Sequence, residues 1–147
     1  WKIGVTGFGE CLPYHENKMN LNYDKLDDWG LPTITFDAEF KENEKLMRED
    51  MQQEAISMLK AAGFSDVVGY DEPCYPGHAI HEMGTARMGN NPKTSVLNKY
   101  NQIHAVKNVY VTDGSCMTSS GNQNPSLTYM ALTARAVNYA VKYLNNG

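Results

Sequence analysis

Cysteine is scarce in this chain: Cys11, Cys74 and Cys116 are the only three in 147 residues. They are odd in number and far apart, which fits no disulfide framework and makes free thiols the expectation. No run of apolar residues approaches the length needed to cross a bilayer. Charge of one sign is also lacking. Lys and Arg number 13 against 17 Asp and Glu, and the basic residues are scattered, which excludes nucleic acid or an anionic membrane as the main partner. A Gly-rich dinucleotide turn is missing as well. Gly7-Phe8-Gly9 is only a fragment of one, because Leu12 stands where a third glycine is needed and no helical pattern follows. There is no initiating Met and no charged-then-apolar leader. The chain enters a strand-like pattern straight from Trp1, as a piece cut from a longer protein would, and any targeting signal is expected outside it. The compartment of a soluble protein, cytoplasmic or periplasmic, stays open.

What is present suits an ordinary globular domain, since 41% hydrophobic and 20% charged residues are enough for a sizeable core. Residues 2–8 and 33–40 carry β-branched and aromatic side chains in partial alternation and read as strands. Between them, turns surround a short extended piece containing Met19, Leu21 and Tyr23. From Asn43 to Ala62 the period changes. Met47, Met51, Ala55, Met58, Leu59 and Ala62 share one helical face, Gly63 supplies a left-handed cap, and the Met stripe reads as core filler. Val109–Thr112 is short, apolar and stopped by Asp-Gly, as a buried strand would be. The last helix is the best defined, with Asn124 as N-cap, Pro125 at the first helical position and Asn145-Asn146-Gly147 as its stop.

Three local chemistries compete. Cys74, His78, His81 and Glu82 lie within nine residues, but no second ligand pair exists and Pro76-Gly77 breaks any helix that would align them, so no metal site is expected. Cys116 has no neighbouring positive charge to activate it as a nucleophile, and a packed thiol is the better reading. The third is an acid–base pair, His81 on a turn rich in small residues and Asn124 at a helix start. An imidazole titrates near neutrality. A strand, an Asp-Gly turn and a helix N-terminus form the arrangement in which α/β proteins bind ligands, and the free amides there suit an anion.

The runs that carry this third reading are specific. His81–Gly89, HEMGTARMG, resembles the His-x-x-Gly-Thr-x-x-Met-Gly motif of the glucose-methanol-choline (GMC) family of flavin oxidoreductases. NKYNQIHAVKNVYVTDGS resembles that family's segment ending in strand-Asp-Gly, and NPSLTYMALTARA its final helix, in the branch with Asn-Pro and most similar to sugar-oxidising members. GECLPYHENKMNLN, DDWGLPTITFDAEF and the Met-striped helix are similar, more loosely, to its substrate-domain segments.

The resemblance implies a C-terminal portion of an FAD-dependent enzyme that oxidises the CH–OH group of a sugar, polyol or other alcohol. His81 matches the base that takes the hydroxyl proton, and Asn124 matches the residue that hydrogen-bonds the same oxygen. Asp113 and Gly114 match the turn against the FAD diphosphate and ribityl region, and Pro125 and Ser126 the helix start facing the flavin. The implied fold is α+β. About 1–80 would belong to a mostly antiparallel substrate-domain sheet with packed helices. About 81–147 would carry the catalytic motif, then a strand and helix that complete an FAD-binding domain in the intact protein. The N-terminal FAD-binding portion is then a required partner; without it the piece is expected to lose FAD, to be inactive and to self-associate through an open edge. A non-catalytic module binding a polyol or a partner chain is the alternative.

Overall fold

The computed structural model describes residues 1–72 and 74–145, which form two compact units divided between His78 and Ala79. The composition is α+β, with one two-stranded antiparallel sheet and two long helices.

In the first unit, β1 (Lys18–Leu26) pairs with β2 (Pro32–Asp37). The turn between them is set by Asp27. Its carboxylate accepts the amides of Trp29 and Leu31, each at 2.9 Å, while Gly30 takes φ +79°. Register sets Met19 opposite Phe36 and Leu21 opposite Ile34 on one face, and Asn20 opposite Thr35 and Asn22 opposite Thr33 on the other. The expected short extended piece is therefore a full nine-residue strand. Its asparagines disfavour a strand locally, and cross-strand pairing overrides that preference. The apolar pairs remain exposed, Phe36 at 73%.

The strand expected over 2–8 does not form. Those residues have no partner strand. Instead Gly7 and Gly9 lie so close to α1 (Glu42–Ala61) that a Cβ would come within 2.9 Å of Met51 and 2.4 Å of Met47. The glycines that mimicked a dinucleotide turn thus serve close packing. Met47, Met51, Ala55 and Leu59 are half-buried and Met58 is exposed, so the stripe is only partly covered. The helix ends as its sequence requires: Gly63 takes φ +87° while its amide bonds Lys60 O and that of Phe64 bonds Leu59 O.

The residue that fastens this unit is Glu44, only 2% exposed. Its carboxylate accepts the amide of Leu12 at 2.9 Å, the Tyr14 hydroxyl at 3.1 Å and the Lys41 amide at 3.0 Å. Burial pulls its pKa up, but the backbone amides of Leu12, Lys41 and Glu44 itself, with the Tyr14 hydroxyl, outweigh it and hold the group below its ordinary value.

In the second unit, α2 (Ser126–Asn145) lies beside a loop-built layer. The expected strand over Val109–Thr112 is reduced to one bridge, Tyr110 to Gln102. A strand needs a neighbour along its length, and the described residues of this unit provide one only at that point. Leu97, Cys116 and Ala136 are the buried apolar side chains, and Asn101 and Gln102 are buried with them. The Asn146-Gly147 part of the expected helix stop lies outside the described residues.

The depressed Glu44 contributes fully above the ordinary carboxylate range and loses that contribution as pH falls through its folded pKa. Glu44→Ala, which strips two amides of their acceptor, is expected to cost about 1–3 kcal/mol at neutral pH. In urea titrations followed by Trp fluorescence, the gap between variant and wild type should narrow below about pH 4. A gap independent of pH would count against the carboxylate's role.

Candidate active site

The site is assembled in the second unit by backbone bonds between two loops. The amide of Ala86 bonds Ser115 O at 3.0 Å and that of Met88 bonds Cys116 O at 2.9 Å. These lay the HEMGTARMG loop along the Asp-Gly turn, a short 3₁₀ turn over Gly114–Cys116. Asp113 caps that turn, its carboxylate accepting the Ser115 amide at 2.9 Å and the Ser115 hydroxyl. Within the first loop Gly84 takes φ +88° and lets the chain reverse toward Arg87.

His81, at the head of this loop, is held at φ 63°. The left-handed region costs a residue with a Cβ roughly 1–2 kcal/mol, so the surrounding bonds fix it there. Its Nε2 lies 2.9 Å from Asn124 Oδ1, across 43 residues of sequence. A carbonyl oxygen only accepts, so Nε2 donates here.

The Asn124 side chain is therefore engaged with His81 and does not cap its own helix. The helix instead begins one residue later than its pattern placed it, at Ser126, and the Pro125 carbonyl accepts the Tyr129 amide at 3.1 Å. Pro125 is buried and Ser126 exposed.

A cavity of about 400 Å³ opens beside this pair, lined by His81, Glu82, Asp113, Gly114, Ser115 and Tyr129. Three of the residues singled out from sequence share it: His81, Asp113 and Gly114. Asn124 joins through its hydrogen bond, while Pro125 and Ser126 are not part of the lining. Glu82, Ser115 and Tyr129 were missed as lining residues. The available signal was spacing, since Tyr129 stands one helical turn after Pro125, on the same side of α2.

Gly114 explains why this turn has no side chain. A Cβ would stand 2.7 Å from Glu82 O and 2.7 Å from the Tyr129 hydroxyl. Burial, then the proximity of Cys116, Glu82 and Asp113, pushes the Tyr129 phenol up, so it stays a neutral donor. Cys116, fully buried with its thiol pushed up mainly by burial, is no nucleophile. Among the described residues no group of three or more His, Cys, Asp or Glu is placed to hold a metal, and no helix is long and apolar enough to cross a membrane.

The comparison with known families speaks to the same residues. The sequence model of the GMC oxidoreductase family, in its C-terminal form, matches residues 13–133. The chain belongs to the GMC oxidoreductase family. It is 41% identical over 138 residues to 2-methyl-1,2-propanediol dehydrogenase of Mycolicibacterium austroafricanum, covering 92% of this chain and 24% of that protein. It is 29% identical to paromamine 6'-oxidase of Streptomyces fradiae, covering 84% of the chain and 23% of that protein. Against the fructose dehydrogenase large subunit of Gluconobacter japonicus it is 28% identical, covering 99% and 26%. The chain thus spans about a quarter of the length of these GMC relatives.

Within this GMC portion the tightness of the Asp-Gly turn is open to measurement. Gly114→Ala should destabilise the protein by about 1–3 kcal/mol, the usual cost of overpacking. Adding Tyr129→Phe removes one of the two clashing oxygens and should restore part of the loss in thermal denaturation. A fully additive double variant would sink this account of the turn.

Proposed function

We propose that this chain is the C-terminal catalytic portion of an FAD-dependent oxidoreductase acting on the CH–OH group of an alcohol or sugar. The observation that carries the reading is the 2.9 Å pairing of His81 with Asn124 at the mouth of the cavity formed by the Asp-Gly turn. Support comes also from the relatives, whose names are those of a 2-methyl-1,2-propanediol dehydrogenase, a paromamine 6'-oxidase and a fructose dehydrogenase. About 1–80 would belong to the substrate domain and about 81–147 to the catalytic motif and the end of the FAD domain.

The residues fit the flavin side of FAD in one respect: the amides at the start of α2, before Tyr129, have no carbonyl one turn back. Asp113, Gly114, Pro125 and Ser126 would hold that side, the last two through the partial positive charge of the helix start. When bound, FAD supplies the acceptor for the hydride that leaves the substrate carbon. The rest falls to this chain. The substrate hydroxyl would replace the Asn124 carbonyl beside His81 Nε2; the Nε2 proton passes through solvent to Nδ1, and in that tautomer Nε2 presents its lone pair and takes the hydroxyl proton. Asn124, its amide turned to offer Nδ2, donates to the same oxygen and fixes its orientation. Tyr129 and the Glu82 backbone hold Gly114 in place beneath it.

The missing portion of the protein enters this reading as a physical need. A Gly-rich turn at a helix N-terminus, the usual holder of the ADP half, does not occur among the described residues. The exposed apolar face of the β1–β2 hairpin likewise has no cover within its own unit.

In the intact protein, His81→Ala should lower turnover at least about a hundredfold while flavin content stays near normal. Full activity in that variant would move the base elsewhere. The 147-residue chain alone should neither retain FAD nor oxidise any alcohol. Saturable binding at micromolar FAD, followed by flavin fluorescence, would reveal a nucleotide site in this chain and favour a module that binds its ligand independently.

A further inference from the structure

Cys11 and Cys74 are 63 positions apart, yet two clamps on neighbouring residues of α1 fasten the chain beside each of them. The amide of Leu12, next to Cys11, bonds the Glu44 carboxylate at 2.9 Å. The guanidinium of Arg48 holds Asp71 at 2.6 Å and the carbonyl of Glu72, two residues before Cys74, at 2.8 Å. Glu44 and Arg48 are four residues apart on the helix, hence neighbours on one face about 6 Å from each other. The two chain segments are thus fastened one helical turn apart, with a cysteine close beyond each fastening.

We propose that Cys11 and Cys74 form a reversible disulfide, making this end of α1 a thiol-modification site that responds to low-molecular-weight disulfides. Both sulfurs are within the first unit. Cys11 is exposed and Cys74 half-buried, in contrast to Cys116, which is sealed in the second unit. Burial, then Glu44, Cys74 and Glu10, push the Cys11 thiol up, so exchange at this pair speeds up as pH rises, whereas Cys116 is sealed from any small disulfide.

The exchange balances without any further oxidant. One protein thiolate attacks a sulfur of the small disulfide, forming a mixed disulfide and releasing one small thiolate. The other protein thiolate attacks the protein sulfur of that mixed disulfide, closing the Cys11–Cys74 bond and releasing the second. The protein pair loses two electrons and two protons, and the small disulfide is reduced to two thiols. The bond would fasten the N-terminal segment, already lying on Met47 and Met51, to the stretch that follows the helix.

The test uses the intact protein incubated with oxidised glutathione, blocked with N-ethylmaleimide after denaturation and digested with trypsin without reduction. Cys11 and Cys74 fall in separate tryptic peptides, 3–18 and 61–87, each with a single cysteine. The expected product is one linked pair of these peptides, two hydrogens lighter than their sum and lost on dithiothreitol treatment, while Cys116 carries maleimide. Cys11→Ser should trap glutathione on Cys74, and Cys74→Ser should trap it on Cys11, as adducts absent from the wild type. Wild-type protein with maleimide or glutathione on both cysteines and no linked pair would overturn the proposal.

Discussion

The second unit depends on one buried amide. Asn101 is fully buried at φ 64°, a conformation that asparagine tolerates better than most residues. Its Nδ2 donates to Val111 O at 3.0 Å, its carbonyl side accepts from Arg135 at 3.0 Å, and its own amide closes a turn onto Asn98 O. Gln102 beside it reaches Lys107 O at 2.6 Å and accepts from Asn98. These bonds join the turn, the Val109–Thr112 segment and α2. Neighbouring Leu97 then receives the amide of Gly89, which ends the HEMGTARMG loop.

The first unit is fastened in the same way, through the carboxylate of Glu44. Polar groups rather than an apolar core thus position the loops in both halves, and no buried side-chain polar atom among the described residues is left without a partner. The apolar surface is correspondingly uncovered. The accessible area is 11652 Å², whereas two separate globules of half this mass would expose roughly 9,000 Å² together. Large apolar side chains share in that exposure, Phe36 at 73% and Leu127 at 78% among them, and contiguous apolar surface of this kind marks an interaction face. Under the proposed function, the remainder of the intact protein would cover it.

The strain at His81 and the crowding at Gly114 belong to the same design. Under the proposed function, a base that must meet a hydroxyl in one geometry gains from a backbone that cannot relax. The left-handed φ at His81, the clamped turn at Asp113 and the close contact of Gly114 with Tyr129 each remove a degree of freedom near the cavity. The hydrogen bond to Asn124 orients the ring across the gap between the motif loop and the start of α2.

By itself the sequence determined the features that rest on local physics. The period of 3.6 between Asn43 and Ala62, with glycine after it, fixed α1 to within a residue at each end, because propensity and capping act over one turn. The HEMGTARMG and Asn-Pro runs pointed to the family and to His81 and Asn124 as a pair. Tertiary structure decided what depends on partners. Residues 2–8 alternate like a strand and became a close-packed strip, since Gly7 and Gly9 met Met51 and Met47 instead of another strand. Lys18–Leu26 lacked strong strand character and became one, since β2 supplied the hydrogen bonds. Val109–Thr112 stayed a single bridge for want of a neighbour. Whether Asn124 would cap its helix or face His81 was equally undecidable along the chain, because one side-chain amide oxygen had two partners within reach of the fold and only the packed loops chose between them.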